Sequence, residues 1–161
     1  MLASVKLIGG MLIVGSGAYA AYLSSRAEQK KLTVLDGWLE LLFYIREQIE
    51  CFLTPQSELL RYADKETLKK CIGGGALPAR DLKKLLDTAT PHLDNDSRQL
   101  LSSFLAELGS SYREEQVRRC DQYLSKLQRI RGELASELPK RIRLNVALRL
   151  CASLGITVLL W

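Results

Sequence analysis

The sequence predicts an all-α fold: an antiparallel bundle of about six helices flanked by N- and C-terminal transmembrane helices. Three observations predict it. Apolar residues recur at three- and four-residue steps through the middle of the chain. No window alternates with period two over a strand's length. An apolar run lies at either end. The charge divides in the same way. The 161 residues carry 23 Lys+Arg against 18 Asp+Glu, a net +5. Residues 32–137 hold 15 of the basic and 17 of the acidic residues, so the basicity belongs to the two ends and no nucleic-acid partner is implied. A hydrophobic fraction of 47% excludes a disordered chain.

Leu7–Leu23 is a 17-residue run without a charge, at the lower limit for crossing a bilayer. Tyr19 and Tyr22 near its end suit the headgroup level. Gly10, Gly17 and Ala21 put small residues along one face, where another membrane helix could pack. The second run enters at Leu144 and ends at Trp161, with Asn145 and Arg149 as its polar interruptions. Arg26, Lys30 and Lys31 follow the first run and Lys6 precedes it, while Lys140, Arg141 and Arg143 precede the second. Both flanks therefore assign the middle to the cytoplasm. The expected organisation is a transmembrane helix at 1–24, a cytoplasmic bundle at 25–143 and a transmembrane or membrane-associated helix at 144–161. The competing reading is a cleaved signal peptide, with Lys6, the Leu7–Val14 core and Ala18-Tyr19-Ala20. It would make the chain a secreted or membrane-tethered small helical binding or signalling module with paired cysteines.

Within the middle, Leu32, Leu35, Leu39, Leu42, Ile45, Ile49 and Phe52 line one face of a helix, with Glu40, Arg46, Glu47 and Glu50 opposite. Thr54-Pro55 ends it and starts a short helix carrying Leu59, Leu60 and Ala63. Asp64 caps the next, from Lys65 to Ile72. Gly73-Gly74-Gly75 lacks a phosphate-cradling pattern and reads as a plain loop. Pro78 opens a helix with Leu82, Leu85, Leu86 and Ala89, which Thr90-Pro91 closes. Asp94-Asn95-Asp96 caps a helix with Leu100, Leu101, Phe104, Leu105 and Leu108. Gly109 is placed for a left-handed stop, and Ser111-x-x-Glu114 reads as a capping box for the last helix. The two helices therefore form a tight hairpin. The last helix keeps its stripe through Val117, Cys120, Leu124, Leu127, Ile130, Leu134 and Leu138, until Pro139 interrupts or kinks it.

This layout resembles the stage III sporulation protein AB family, itself related to the platform protein F of type II secretion. The resemblance runs along the whole chain. It rests on Phe104-x-x-x-Leu108-Gly109-x-Ser111 with Gln116, on the turn Ile49-x-x-x-x-Thr54-Pro55, and on Arg149-x-x-x-Ser153-Leu154-Gly155 entering the apolar tail. Gln48 and Gln56 depart from the acid and the Leu usual in the family. The resemblance implies a six-helix cytoplasmic domain like that of the secretion platform. It also implies a place in the mother-cell membrane facing the forespore, as part of a secretion-like channel complex. The implied partners are other stage III sporulation proteins, among them the motor ATPase stage III sporulation protein AA, and further copies of the chain.

No catalytic, cofactor or metal site is expected. His92 is the single histidine, and Cys51, Cys71, Cys120 and Cys151 lack C-x-x-C spacing. In a cytoplasmic domain they read as small buried hydrophobes, and nothing in the sequence positions a Cys120–His92 nucleophile pair. Acidic pairs such as Asp94/Asp96 and Glu114/Glu115 fall at helix starts, where the helix dipole favours them. Arg113, Arg118 and Arg119 form a basic cluster opening the last helix, a candidate patch for an acidic partner.

Overall fold

The computed structural model describes residues 2–52, 58–77 and 81–159. Among them are five α-helices: α1 (Leu2–Glu47), α2 (Lys65–Cys71), α3 (Leu82–Ala89), α4 (Asn95–Glu107) and α5 (Arg113–Leu159). A π-turn, Gln48–Phe52, continues α1, and single 3-10 turns lie at Leu59–Arg61 and Thr90–His92. Among the described residues there is no strand. The chain is all-α, as the periodicity requires.

It divides into two compact units, one of Lys30–Leu134 and one of Met1–Gln29 with Ala135–Trp161. The first has a single core. From α1 it takes Val34, Leu35, Trp38, Leu41, Leu42 and Ile45, all essentially inaccessible. Leu68 and Cys71 of α2, Leu85 and Leu86 of α3, Leu101 and Phe104 of α4, and Cys120, Leu124 and Leu127 of α5 surround them. The core stripe of α1 is broader than stepping by three and four implies, because neighbours cover more than one of its flanks. Ion pairs brace the rim: Arg131 reaches Asp36 at 2.8 Å and Lys70 reaches Glu40 at 3.1 Å.

The structure corrects several expectations. The flanking segments are not separate helices. α1 is continuous over 46 residues, with no breaker at its junction, and α5 is continuous over 47. Pro139 lies inside α5 without ending it. The Arg141–Glu137 pair at 2.6 Å spans it, and Leu138 beside it is buried. Among the described residues no helix is long and apolar enough to cross a membrane. The first apolar run lies within α1, but the side chains of Leu7–Val14 and Ala21, with position 17, on which the expected small-residue face of Gly10, Gly17 and Ala21 depends, lie outside what is described. So do Thr54, Pro55 and Pro78.

The short helix expected after Thr54-Pro55 is described only as the 3-10 turn, which buries Leu59 and Leu60. α3 starts at Leu82, with Asp81 as its cap accepting from the Lys83 amide at 3.0 Å. The glycine triplet is more than a plain loop. The Gly73 amide bonds the Lys70 carbonyl and the Gly74 amide the Lys69 carbonyl, the paired bonds of a Schellman stop for α2. Gly73 has φ 72°, and a Cβ there would meet His92 Cδ2 at 2.8 Å, so glycine is required twice over.

Asp64 caps α2 as expected, accepting from the Thr67 amide at 3.2 Å. That hydrogen bond, above all, holds its carboxyl below the ordinary aspartate value of 3.8. A depressed folded-state pKa stabilises above the unfolded value, and the contribution disappears as pH falls through the folded one. Acidification below about pH 4 is therefore expected to weaken α2 first. A carboxyl-carbon NMR titration should place Asp64 below the free value, and Asp64→Asn should remove this part of the acid dependence.

Candidate protein-contact surface at the helix hairpin

Phe104 and Leu108 are core residues of α4, and the Phe104 ring meets Tyr123 of α5 edge-on at 5.4 Å. Gly109 has φ 83°, the left-handed stop its position predicts. Ser110 closes the turn, its hydroxyl donating to the Glu107 carbonyl at 2.6 Å. α5 begins at Arg113, and the Gln116 amide bonds the Tyr112 carbonyl at 2.9 Å. Tyr112 therefore takes the N-cap place that the capping box gave to Ser111. Tyr112 is 90% exposed.

The end of α1 lies against this hairpin. Ile49 is buried in the π-turn, and widening the last turn of a helix changes how its carbonyls are presented. Arg113 donates to the Glu50 carbonyl, where the partial negative charge of a helix C-terminus favours a cation. Arg46 pairs with Asp121 of α5 and with Glu50, both at 2.5 Å. Arg119 pairs with Glu115 at 2.7 Å and crosses to Glu107 of α4 at 3.3 Å. The result is an open cleft of about 580 Å³ lined by Glu50, Tyr112, Arg113, Glu114 and Val117.

Two of the three arginines of the expected basic cluster make contacts within the unit. Arg119 is ion-paired within the unit and Arg113 donates to the Glu50 backbone carbonyl, whereas among the described residues Arg118 has neither kind of contact. What stands at the surface is a mixed-charge cleft under an exposed tyrosine. Glu50 and Tyr112 were not legible as members. Glu50 is distant in sequence, and Tyr112 was distinguishable only as an aromatic lying off the core stripe. A second cavity of about 460 Å³ lies between α3 and α4, with Asp81, Lys83, Asp87 and Arg98 around Leu82, Leu86 and Leu105.

The cysteines divide. Cys71 and Cys120 are buried as expected, but Cys51 and Cys151 are exposed and all four are free. Burial pushes the Cys120 thiol up to about 11 and also raises Cys71, the opposite of activation. His92 packs on Gly73 in the turn after α3. Alkylation of the native protein near pH 8 is expected to modify the exposed Cys51 and Cys151 and to spare Cys71 and Cys120, which burial shields and whose thiolates it suppresses by about 100-fold or more relative to a free cysteine. Peptide mass mapping after brief iodoacetamide treatment checks this. Among the described residues no group of three or more His, Cys, Asp or Glu is placed to hold a metal ion.

Fold and surface together define a class: an all-helical domain with a candidate contact surface at a helix hairpin. The family model of stage III sporulation protein AB matches residues 79–161, which include α3, α4 and α5. The chain belongs to the stage III sporulation protein AB family, and membership implies a role in stage III sporulation. No curated protein and no solved structure matches it. The matched residues include the whole Phe104–Gln116 hairpin motif; the Ile49–Pro55 turn lies before them.

Proposed function

We propose that this chain is a non-enzymatic, membrane-anchored platform component of the secretion-like complex between mother cell and forespore. It sits in the mother-cell membrane with the Lys30–Leu134 unit in the cytoplasm, docking the motor ATPase stage III sporulation protein AA. The observation that carries the anchor is the surface of the terminal unit. Tyr19, Tyr22 and Leu23 of α1 and Leu144, Leu148 and Ile156 of α5 are between 47% and 65% exposed. Apolar surface on this scale, gathered on one unit, marks a membrane or partner contact. Arg149, the one charge inside the second apolar run, donates to the Ala20 carbonyl of the opposite segment, an inward pairing that suits a cation in a low-dielectric surrounding.

For docking, Tyr112 and Arg113 at the hairpin cleft are residue types that dominate protein contacts. The test uses the full chain in membranes. A protease should reach Lys30–Leu134 only from the cytoplasmic side, and the embedded protein should retain the ATPase. Cleavage from outside, with the N-terminal segment missing, would instead fit the secreted module. Failure to retain the ATPase would remove the docking role.

A further inference from the structure

We propose that the terminal unit carries a headgroup site for anionic phospholipid: Arg26, Lys140, Arg141 and Arg143 form a basic collar beside the apolar Tyr22, Leu23 and Leu144, of which Arg26, Lys140 and Arg143 bind the phosphodiester of a lipid such as phosphatidylglycerol. This deepens the membrane reading and rests on it. All seven side chains are exposed. The unit of 1–29 with 135–161 contains six basic and two acidic residues, a net +4, whereas Lys30–Leu134 is at +1. The collar is thus charge concentrated on the unit that also bears the apolar surface.

The Arg149–Ala20 contact sets the register. Along an antiparallel pair counted from it, Arg26 lies six residues past Ala20 and Arg143 six before Arg149, about 9 Å along each axis. On that count the two arginines lie at neighbouring levels, within the reach of their side chains. Tyr22, Leu23 and Leu144 fall between those levels and the contact, and Lys140 and Arg141 lie just beyond them. A bilayer presents the same order, hydrocarbon and then phosphate. The acids of the unit do not cancel the collar. Glu137 is engaged with Arg141 at 2.6 Å, and Glu28 already has an interaction partner, which leaves Arg26, Lys140 and Arg143 for phosphate. Arginine presents two parallel donors that match a phosphodiester.

The collar selects lipid charge, whereas the apolar surface alone does not. Near an anionic bilayer each basic residue strengthens binding by roughly fivefold, so the three together account for roughly 100-fold. Full-length protein is added from dilute detergent to vesicles of phosphatidylcholine alone or mixed with phosphatidylglycerol, and binding is read by flotation. Both should recover the protein, the mixed vesicles roughly 100-fold more tightly at low salt, with the advantage shrinking as salt screens it. The triple variant Arg26→Gln/Lys140→Gln/Arg143→Gln should bind phosphatidylcholine as wild type does and lose most of the preference, with unchanged helicity by circular dichroism. Equal wild-type binding to both vesicles, or a preference insensitive to salt, overturns the headgroup site and leaves the anchor intact. So does a triple variant that keeps the preference. Binding to neither vesicle overturns the anchor itself. A misfolded triple variant does not block the test, since lipid preference and salt dependence are read on the wild type.

Discussion

Replacing Trp38 by alanine is expected to cost about 3–5 kcal/mol of stability, a large share of the ~5–15 kcal/mol that holds a typical domain. Trp38 is completely inaccessible and lies on α1 at the centre of the core, between Leu35 and Leu41. Truncation removes its burial from water and leaves a cavity that packed helices close only in part. In urea the midpoint should fall by roughly 2 M, given slopes of about 1–3 kcal/mol/M.

The companion substitution separates packing from polarity. The Trp38 indole N–H is buried with no hydrogen-bond partner among the described residues. A buried donor without a partner costs about 1–3 kcal/mol. Trp38→Phe keeps much of the aromatic volume and deletes that donor. Its cost should therefore be far below that of alanine, about 1 kcal/mol or less on the same figures. Equal urea midpoints for the two variants would mean that the N–H is satisfied in solution.

Trp38 also shows where the reading of the sequence ran short. A single line stepped by three and four through α1 found Leu35, Leu42 and Ile45 but passed over Val34, Trp38 and Leu41, which are equally buried. A surface helix buries one stripe, whereas a helix covered from several sides buries a wide arc, and only the arrangement of neighbours tells the two apart. Local chemistry was more legible. The Asp64 cap and the left-handed Gly109 depend on a few adjacent residues, and both stand in the structure. The candidate surface was half legible. Its hairpin was visible, but Arg46 meets Asp121 across 75 positions and Arg113 meets Glu50 across 63. Such pairings tie the end of α1 to the start of α5, and no local pattern announces them. The π-turn was hidden for a related reason: Gln48–Phe52 keeps helical spacing, and the widening shows only in the backbone.

One substitution at two helical glycines is expected to act with opposite signs. Gly37 lies within α1 at the point where α2 ends against it. A Cβ there would meet the Cys71 amide nitrogen at 2.6 Å and the Lys70 carbonyl carbon at 2.8 Å. Both are backbone atoms, so no rotamer change relieves the contact and the helices must separate. The Lys70–Glu40 pair and the bond from the Thr67 hydroxyl to Glu40 at 3.2 Å hold α2 down on α1 and oppose that shift. Gly37→Ala should therefore destabilise by about 2 kcal/mol, overpacking of about 1–3 kcal/mol exceeding the helix-propensity gain of about 1. Gly37→Val should cost more. Gly132 lies within α5 with nothing inside 4 Å of the added atom, so Gly132→Ala keeps only the propensity gain and should stabilise by about 0.5–1 kcal/mol. Thermal and urea unfolding of the two single variants beside wild type read the difference, about 3 kcal/mol between them. If alanine stabilised at both positions, α1 and α2 would not be in contact through Gly37.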